Sequence, residues 1–227
     1  MQHAARSALQ NRVERVERAE RAGSVAGVRV WAIVVAAGRG ERFGEPKQYA
    51  ALGGRRVLDH AVDACRAVAD GIVLVVPPQR AADPEPAVDA VVAGGATRSA
   101  SVRAGLVAVP EDADIVVVHD AARPWASPAL FRAVVAAVED GAVPGIPVAD
   151  TVKRVHGDRV VETLDRAHLV AVQTPQAFRA DVLRKAHASG ADATDDAALV
   201  EQVGGTVVVV PGEPGNRKIT RRDDLCE

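Results

Sequence analysis

Val30-Trp31-Ala32-Ile33-Val34-Val35-Ala36-Ala37-Gly38-Arg39-Gly40-Glu41-Arg42-Phe43-Gly44-Glu45-Pro46-Lys47 joins an apolar run directly to a glycine-rich, basic one. The run at 30–36 has no polar alternation, so it reads as a strand buried on both faces. A loop leaving the carboxyl end of such a strand lies where open α/β sheets bind ligands. Gly38, Gly40 and Gly44 let backbone N–H groups approach phosphates, and Arg39, Arg42 and Lys47 add charge. The segment thus reads as an anion cradle, although three glycines after a strand also suit a plain tight turn. Its spacing is neither GxGxxG nor GxxxxGK[ST]. The next strand ends in Val76-Pro77-Pro78, without the acidic residue that would hold a ribose, which disfavours a nicotinamide enzyme.

Outward from this stretch, apolar runs at 72–76, 88–92, 115–119, 142–148 and 206–210 alternate with amphipathic segments, the pattern of strands joined by crossover helices. Val57, Leu58, Ala61, Val62, Cys65 and Val68 form a helical stripe that would lie on the sheet. Ser127 and Pro128 read as N-cap and first helical residue of a helix reaching Val138. Thr194, Asp195 and Asp196 open another, with acidic groups at its positive end. The alternation breaks at 151–155 and 160–163, two β-favouring runs joined by His156-Gly157-Asp158-Arg159, which reads as a hairpin. It is either an edge extension or an arm that meets a partner subunit. The fold class is α/β, with residues 30–227 as one domain.

Composition limits the partners. A 227-residue chain can bury a full core, and 48% hydrophobic with 26% charged residues is ordinary for a globular domain, with Val, Ala and Leu supplying a core poor in aromatics. A net charge of −2 gives no global field for nucleic acid or anionic lipid, so an anion must be held by a local basic cluster. The two cysteines, Cys65 and Cys226, are too few for a disulfide framework, which suits a cytoplasmic protein. No run is long enough to span a bilayer. Residues 1–29 read as an extension, either solvated or helical through pairs such as Glu14 with Arg18.

His119-Asp120-Ala121-Ala122-Arg123-Pro124 closes the strand at 115–119 and puts a carboxylate at the same sheet edge as the loop. Asp120 is either a strand-end cap or the single protein ligand of a Mg²⁺ ion that otherwise keeps waters and phosphate oxygens. The six histidines show no zinc spacing, and no GxSxG elbow or Ser-His-Asp set suggests a covalent nucleophile.

With these motifs in order, the chain resembles the 2-C-methyl-D-erythritol 4-phosphate cytidylyltransferases of the non-mevalonate isoprenoid pathway. The residues that carry the resemblance are AAGRGERF at 36–43, PKQY at 46–49, GGATRSASV at 94–102, HDAARP at 119–124, PVADTVKRV at 147–155, LDR at 164–166, TPQAF at 174–178, TDDA at 194–197 and GNRKIT at 215–220. The family resemblance implies a Rossmann-like nucleotidyltransferase sheet with a projecting β-arm at about 149–166 that clasps a second subunit in a homodimer. It implies transfer of a cytidylyl group from CTP to methylerythritol phosphate, with release of pyrophosphate and with Mg²⁺ on Asp120.

By the same resemblance Arg42, Lys47 and Lys218 surround the triphosphate as catalytic groups. Ala36, Ala37, Gly38, Gly95 and Ser101 frame the nucleotide, while Arg123, Thr151, Arg166 and Thr194 receive the acceptor. Val35 and Ala96 depart from the family, standing where Pro and an acidic residue are common. The chain also stops soon after GNRKIT, where relatives usually continue into a helix. Two alternatives stay open: a cytidylyltransferase for another polyol phosphate such as ribitol 5-phosphate, and a non-catalytic nucleotide-binding module.

Overall fold

The computed structural model describes residues 27–225. The proposed extension lies outside them up to residue 26; the chain is already docked at Arg29, whose N–H donates to Asp114 Oδ2 at 2.7 Å. The strand expected from the opening stretch is β1 (Val30–Val35). A short hairpin, β2 (Ala51–Leu52) and β3 (Arg55–Arg56), leads into α1 (Val57–Cys65), then β4 (Gly71–Val76) and β5 (Ala90–Ala93). Next come α2 (Arg98–Ala108), β6 (Ile115–Asp120), α3 (Pro128–Ala137) and β7 (Gly141–Pro147). The arm follows as β8 (Lys153–His156) and β9 (Arg159–Thr163). The chain closes with β10 (Val170–Val172), β11 (Gln176–Arg179), α4 (Ala180–His187), α5 (Asp196–Gln202) and β12 (Val207–Pro211).

Eight strands form the main sheet of the described residues, in the order β10-β7-β11-β6-β1-β4-β5 with β12 on β7. β1, β4, β5 and β6 run parallel, and β12 is parallel to β7. β10 and β11 correct the expectation of a uniformly crossover-connected sheet. They are two halves of one line of chain, both antiparallel to β7, and β11 is antiparallel to β6 as well. The break between them, Gln173-Thr174-Pro175, contains a cis peptide before Pro175.

Period-two alternation on strands covered on both faces makes two cores. Ala32, Val34, Leu74 and Val117 face α1 and α3, where Leu58, Ala61, Leu130 and Phe131 meet them. Ile33, Val73, Val75 and Val118 face the opposite way, against Val102 and Leu106 of α2, Leu183 of α4 and Leu199 of α5. The expected N-cap at Ser127 holds, its Oγ accepting from Leu130 N at 3.1 Å, and the helix expected to open at 194–196 is capped by Asp195, whose Oδ1 accepts from Ala198 N at 3.0 Å. Among the described residues no helix is long and apolar enough to cross a membrane.

The carboxyl ends of β1, β5 and β6 share one edge of the sheet, and the end of β6 is pinned from below. Asp120 N–H donates to Thr174 Oγ1 at 3.0 Å, and that hydroxyl lies 3.1 Å from His119 Nδ1. His119 Nε2 lies 3.2 Å from the Arg123 carbonyl. The carbonyl can only accept, so Nε2 carries the proton and Nδ1 accepts from the threonine. The ring is fully buried and edge-on to Phe131.

Burial depresses the His119 pKa from 6.5 to about 4. The unfolded chain therefore takes up this proton first, and native stability falls as pH drops from about 6.5 to about 4. The fall attributable to His119 is about 3 kcal/mol at most. Urea unfolding at a series of pH values is expected to show a shallower acid loss in His119→Gln than in the parent chain.

Candidate active site

Loops from the carboxyl ends of β1, β5 and β6 enclose a cleft of about 610 Å³. Its walls are residues 35–42 after β1, 95–98 and Ser101 at the start of α2, and 120–122 at the end of β6, closed by Lys47, Gln48, Lys218 and Thr220. Nine of the residues proposed from the sequence meet there: Ala36, Ala37, Gly38, Arg42, Lys47, Gly95, Ser101, Asp120 and Lys218.

The glycine-rich loop owes its shape to local constraints. Gly40 has φ +70°, and a Cβ there would fall 1.8 Å from the Glu45 carbonyl oxygen, so only glycine lets the loop fold back on itself. Phe43 then turns inward against Val57 and Ile219, anchoring the loop in a small third core. Arg222 ties the same loop to the C-terminal segment, pairing with Glu45 at 2.8 Å and lying over the Phe43 ring. Gln48, buried behind the loop, donates to the carbonyls of Ala36 at 2.6 Å and Gly38 at 3.0 Å. Turning these oxygens back toward the protein keeps acceptors away from a site for anions.

Lys218 arrives from the loop after β12, which has no regular structure and is held by buried amides. Gln173 Nε2 donates to the carbonyls of Glu213 at 2.9 Å and Asn216 at 3.1 Å, and Asn216 Nδ2 donates to Thr174 O at 2.9 Å. Beyond Lys218, Ile219 N–H reaches Ala122 O at 2.8 Å. The ammonium then sits 2.6 Å from Asp120 Oδ2, while Arg98 Nε lies 3.2 Å from Oδ1. Burial works to raise the Asp120 pKa, but the charges of Arg98 and Lys218 outweigh it and hold the carboxyl well below the usual range. Asp120 is therefore ionised at neutral pH. Burial, with Lys218 and Arg42 nearby, pulls the Lys47 pKa down.

The acceptor residues proposed from the sequence are not gathered in this cleft. Arg123 Nη1 donates to Asn216 O at 2.7 Å and so braces the Lys218 loop. Thr194 is exposed on the loop before α5. Thr151 and Arg166 lie at the root of the arm, where Arg166 donates to the Ala149 carbonyl. The arm leaves the sheet between β7 and β10 at the same edge as the cleft. Every residue of β8 and β9 is exposed, and Val155, Val160 and Val161 are 57%, 59% and 59% accessible.

Arg98 was missed as a site residue, although it lies inside the GGATRSASV motif. A basic residue directly after an N-capping Thr opposes the helix dipole, and that misfit was the available signal. Gln48, similarly placed inside PKQY, has no signal of its own until the strand end above it is seen.

Comparison with known proteins agrees with this geometry. The family described as 2-C-methyl-D-erythritol 4-phosphate cytidylyltransferase matches residues 30–227. A Streptomyces avermitilis protein named as that enzyme is 45% identical over 227 residues, covering 89% of this chain and 91% of its own length. A bifunctional enzyme of Anaeromyxobacter dehalogenans is 47% identical across 88% of this chain, which spans 56% of that longer protein. The crystal structure of the Thermus thermophilus cytidylyltransferase superposes with a TM-score of 0.74 at 36% identity, covering 87% of this chain and 96% of its own. On the family match, this identity and the shared fold, the chain belongs to the 2-C-methyl-D-erythritol 4-phosphate cytidylyltransferase family.

Proposed function

We propose that the chain transfers a cytidylyl group from CTP to 2-C-methyl-D-erythritol 4-phosphate, giving 4-diphosphocytidyl-2-C-methyl-D-erythritol and pyrophosphate for isoprenoid precursor synthesis. The observation that carries this reading is the cleft in which Arg42, Lys47 and Lys218 share one wall system with the ionised Asp120.

The attacking atom is a phosphate oxygen that is already ionised near neutral pH, so the reaction needs no general base. It needs cations, because one anion must approach another while charge builds on the α-phosphate and its leaving group. Arg42 and Lys47 on the loop after β1 stabilise that charge, and Lys218 faces them from the C-terminal segment. The backbone of Ala36, Ala37, Gly38 and Gly95 borders the nucleotide, with Ser101 as a hydroxyl partner. Ser101 Oγ, which accepts from Gly95 N–H at 3.2 Å, fixes that edge of the pocket. Thr194, with Thr151 and Arg166 from a partner's arm, receives the acceptor.

Asp120 suits a divalent cation that arrives with the triphosphate. Its carboxylate is ionised at the cleft wall, and among the described residues no three His, Cys, Asp or Glu side chains gather into a cage that would hold an ion alone. A bound Mg²⁺ supplies charge neutralisation and electrophilic activation of the phosphate. A homodimer is supported by the arm, whose exposed valines need cover.

Pyrophosphate release from CTP is expected with methylerythritol phosphate and Mg²⁺, and not with ribitol 5-phosphate; release with only the latter would reassign the acceptor, and release with neither would point to a binding module. Lys47→Ala and Asp120→Asn are each expected to lower kcat by roughly 10²–10³. Lys47 lies at the cleft outside the apolar cores and Asp120→Asn keeps the side-chain shape, so circular dichroism should show folded proteins, with Asp120→Asn the less stable because Arg98 and Lys218 lose their shared carboxylate. Mixing inactive Lys47→Ala and Arg166→Ala chains should regain activity if each site draws on two subunits, and an active monomer by light scattering would contradict the arm's role.

A further inference from the structure

The loop at 191–196, which leads into α5, is held mainly by the start of α2, with further ties to Asp195 from Gln176 Nε2 at 3.1 Å and to Asp196 from His187. Thr97 Oγ1 donates to Asp192 Oδ1 at 2.7 Å, Ala193 N–H donates to Ser99 Oγ at 3.2 Å, and Arg103 Nη1 donates to Ala191 O at 2.7 Å. The central contact is ionic: Arg98 Nη1 lies 2.7 Å from Asp196 Oδ2. Asp196 is fully buried, and its other oxygen meets His187 Nε2 at 3.0 Å. The same guanidinium reaches Asp120 Oδ1 through Nε. One side chain thus spans two carboxylates, one on the cleft wall at the end of β6 and one two residues past Thr194.

We infer that Arg98 is a positioning residue that fixes the loop carrying Thr194 against Asp120, and so sets the separation between the acceptor and the nucleotide. The inference rests on the proposed reading of Thr194 as an acceptor contact. The planar fork of arginine places two donors at fixed directions, so both carboxylates are located relative to each other. A lysine has three donors, but they sit on one rotatable nitrogen, so it cannot reproduce the two fixed directions that Nε and Nη1 give the carboxylates. The charges favour the arrangement, since Asp120 and Asp196 both act to keep the guanidinium protonated. A buried ion pair is weak evidence for stability, whereas its geometry sets where the groups attached to it can lie. A displacement of the acceptor by about 1 Å is enough to cost turnover of the order of 10².

Steady-state kinetics of full-length Arg98→Lys and Asp196→Asn, with CTP affinity measured separately by calorimetry, test this. Arg98→Lys is expected to raise the acceptor KM about tenfold or more and to lower kcat, with a smaller loss of CTP affinity because Arg98 also lines the cleft, whereas Asp196→Asn, outside the cleft lining, is expected to leave CTP affinity within about twofold. Asp196→Asn keeps the side-chain shape and the Arg98 contact to Asp120, so it is expected to raise the acceptor KM while kcat stays within a few-fold. Should Arg98→Lys not fold, the same division between acceptor and CTP in Asp196→Asn decides. Unchanged acceptor KM in variants that only melt earlier would make the bridge purely structural and overturn the inference, as would equal losses for CTP and acceptor. An inactive parent chain would instead sink the proposed reaction itself, so the two failures are distinct.

Discussion

A site that brings two phosphates together has to concentrate positive charge, and like charges packed in one cleft oppose folding unless something holds them apart or compensates them. Here the compensation comes chiefly from Asp120, with Asp196 sharing Arg98. Asp120 lies between Lys218 and Arg98, and their combined field overrides the burial that would protonate it. Arg42 and Lys47 line the cleft, and at Lys47 burial and the cations of Lys218 and Arg42 outweigh the carboxylates of Asp120 and Asp224, drawing its pKa down. The cleft is thus electrostatically short of anions.

Much of the surrounding structure serves to keep these charges in register. The end of β6 is tied down through Thr174 to the buried neutral His119. The Lys218 loop, lacking strand or helix, is fastened by Gln173 and Asn216 and braced by Arg123. The glycine-rich loop is anchored by Phe43 and shares its small core with Ile219, so the two basic segments are joined behind the cleft as well as across it. Preorganisation of this kind spares the reaction the reorganisation that mobile cations would require.

The sequence made the strands of the parallel region legible because burial on both faces leaves unbroken Val and Ile runs, as in β1 and β4. The cap at Ser127 and the acidic helix start at 194–196 were legible from their chemistry, and so was the hairpin, from its Gly157 turn. β11 and α2 were not marked out as elements. β11 has four residues, Gln176 to Arg179, with no period long enough to register, and α2 carries Ser, Arg and Gly among its apolar positions, which blurs its stripe. For the site, nine residues singled out within contiguous motifs share one cleft, while the bridges between motifs were not legible. Arg98 gains its meaning only from Asp196, 98 positions away in the chain, and Asn216 only from Gln173. Arg123, assigned to the acceptor by the family resemblance, also has a contact the sequence does not show, from Nη1 to the Asn216 carbonyl.

Charge neutralisation without a covalent intermediate is the core of the account, and the stereochemistry at the α-phosphorus tests it most directly. With CTP made chiral by sulfur at the α-phosphate, one in-line attack by the acceptor phosphate is expected to invert configuration in the cytidylyl product. Retention would require two displacements through a nucleotidylated side chain, and would contradict a site whose residues contribute position and charge alone.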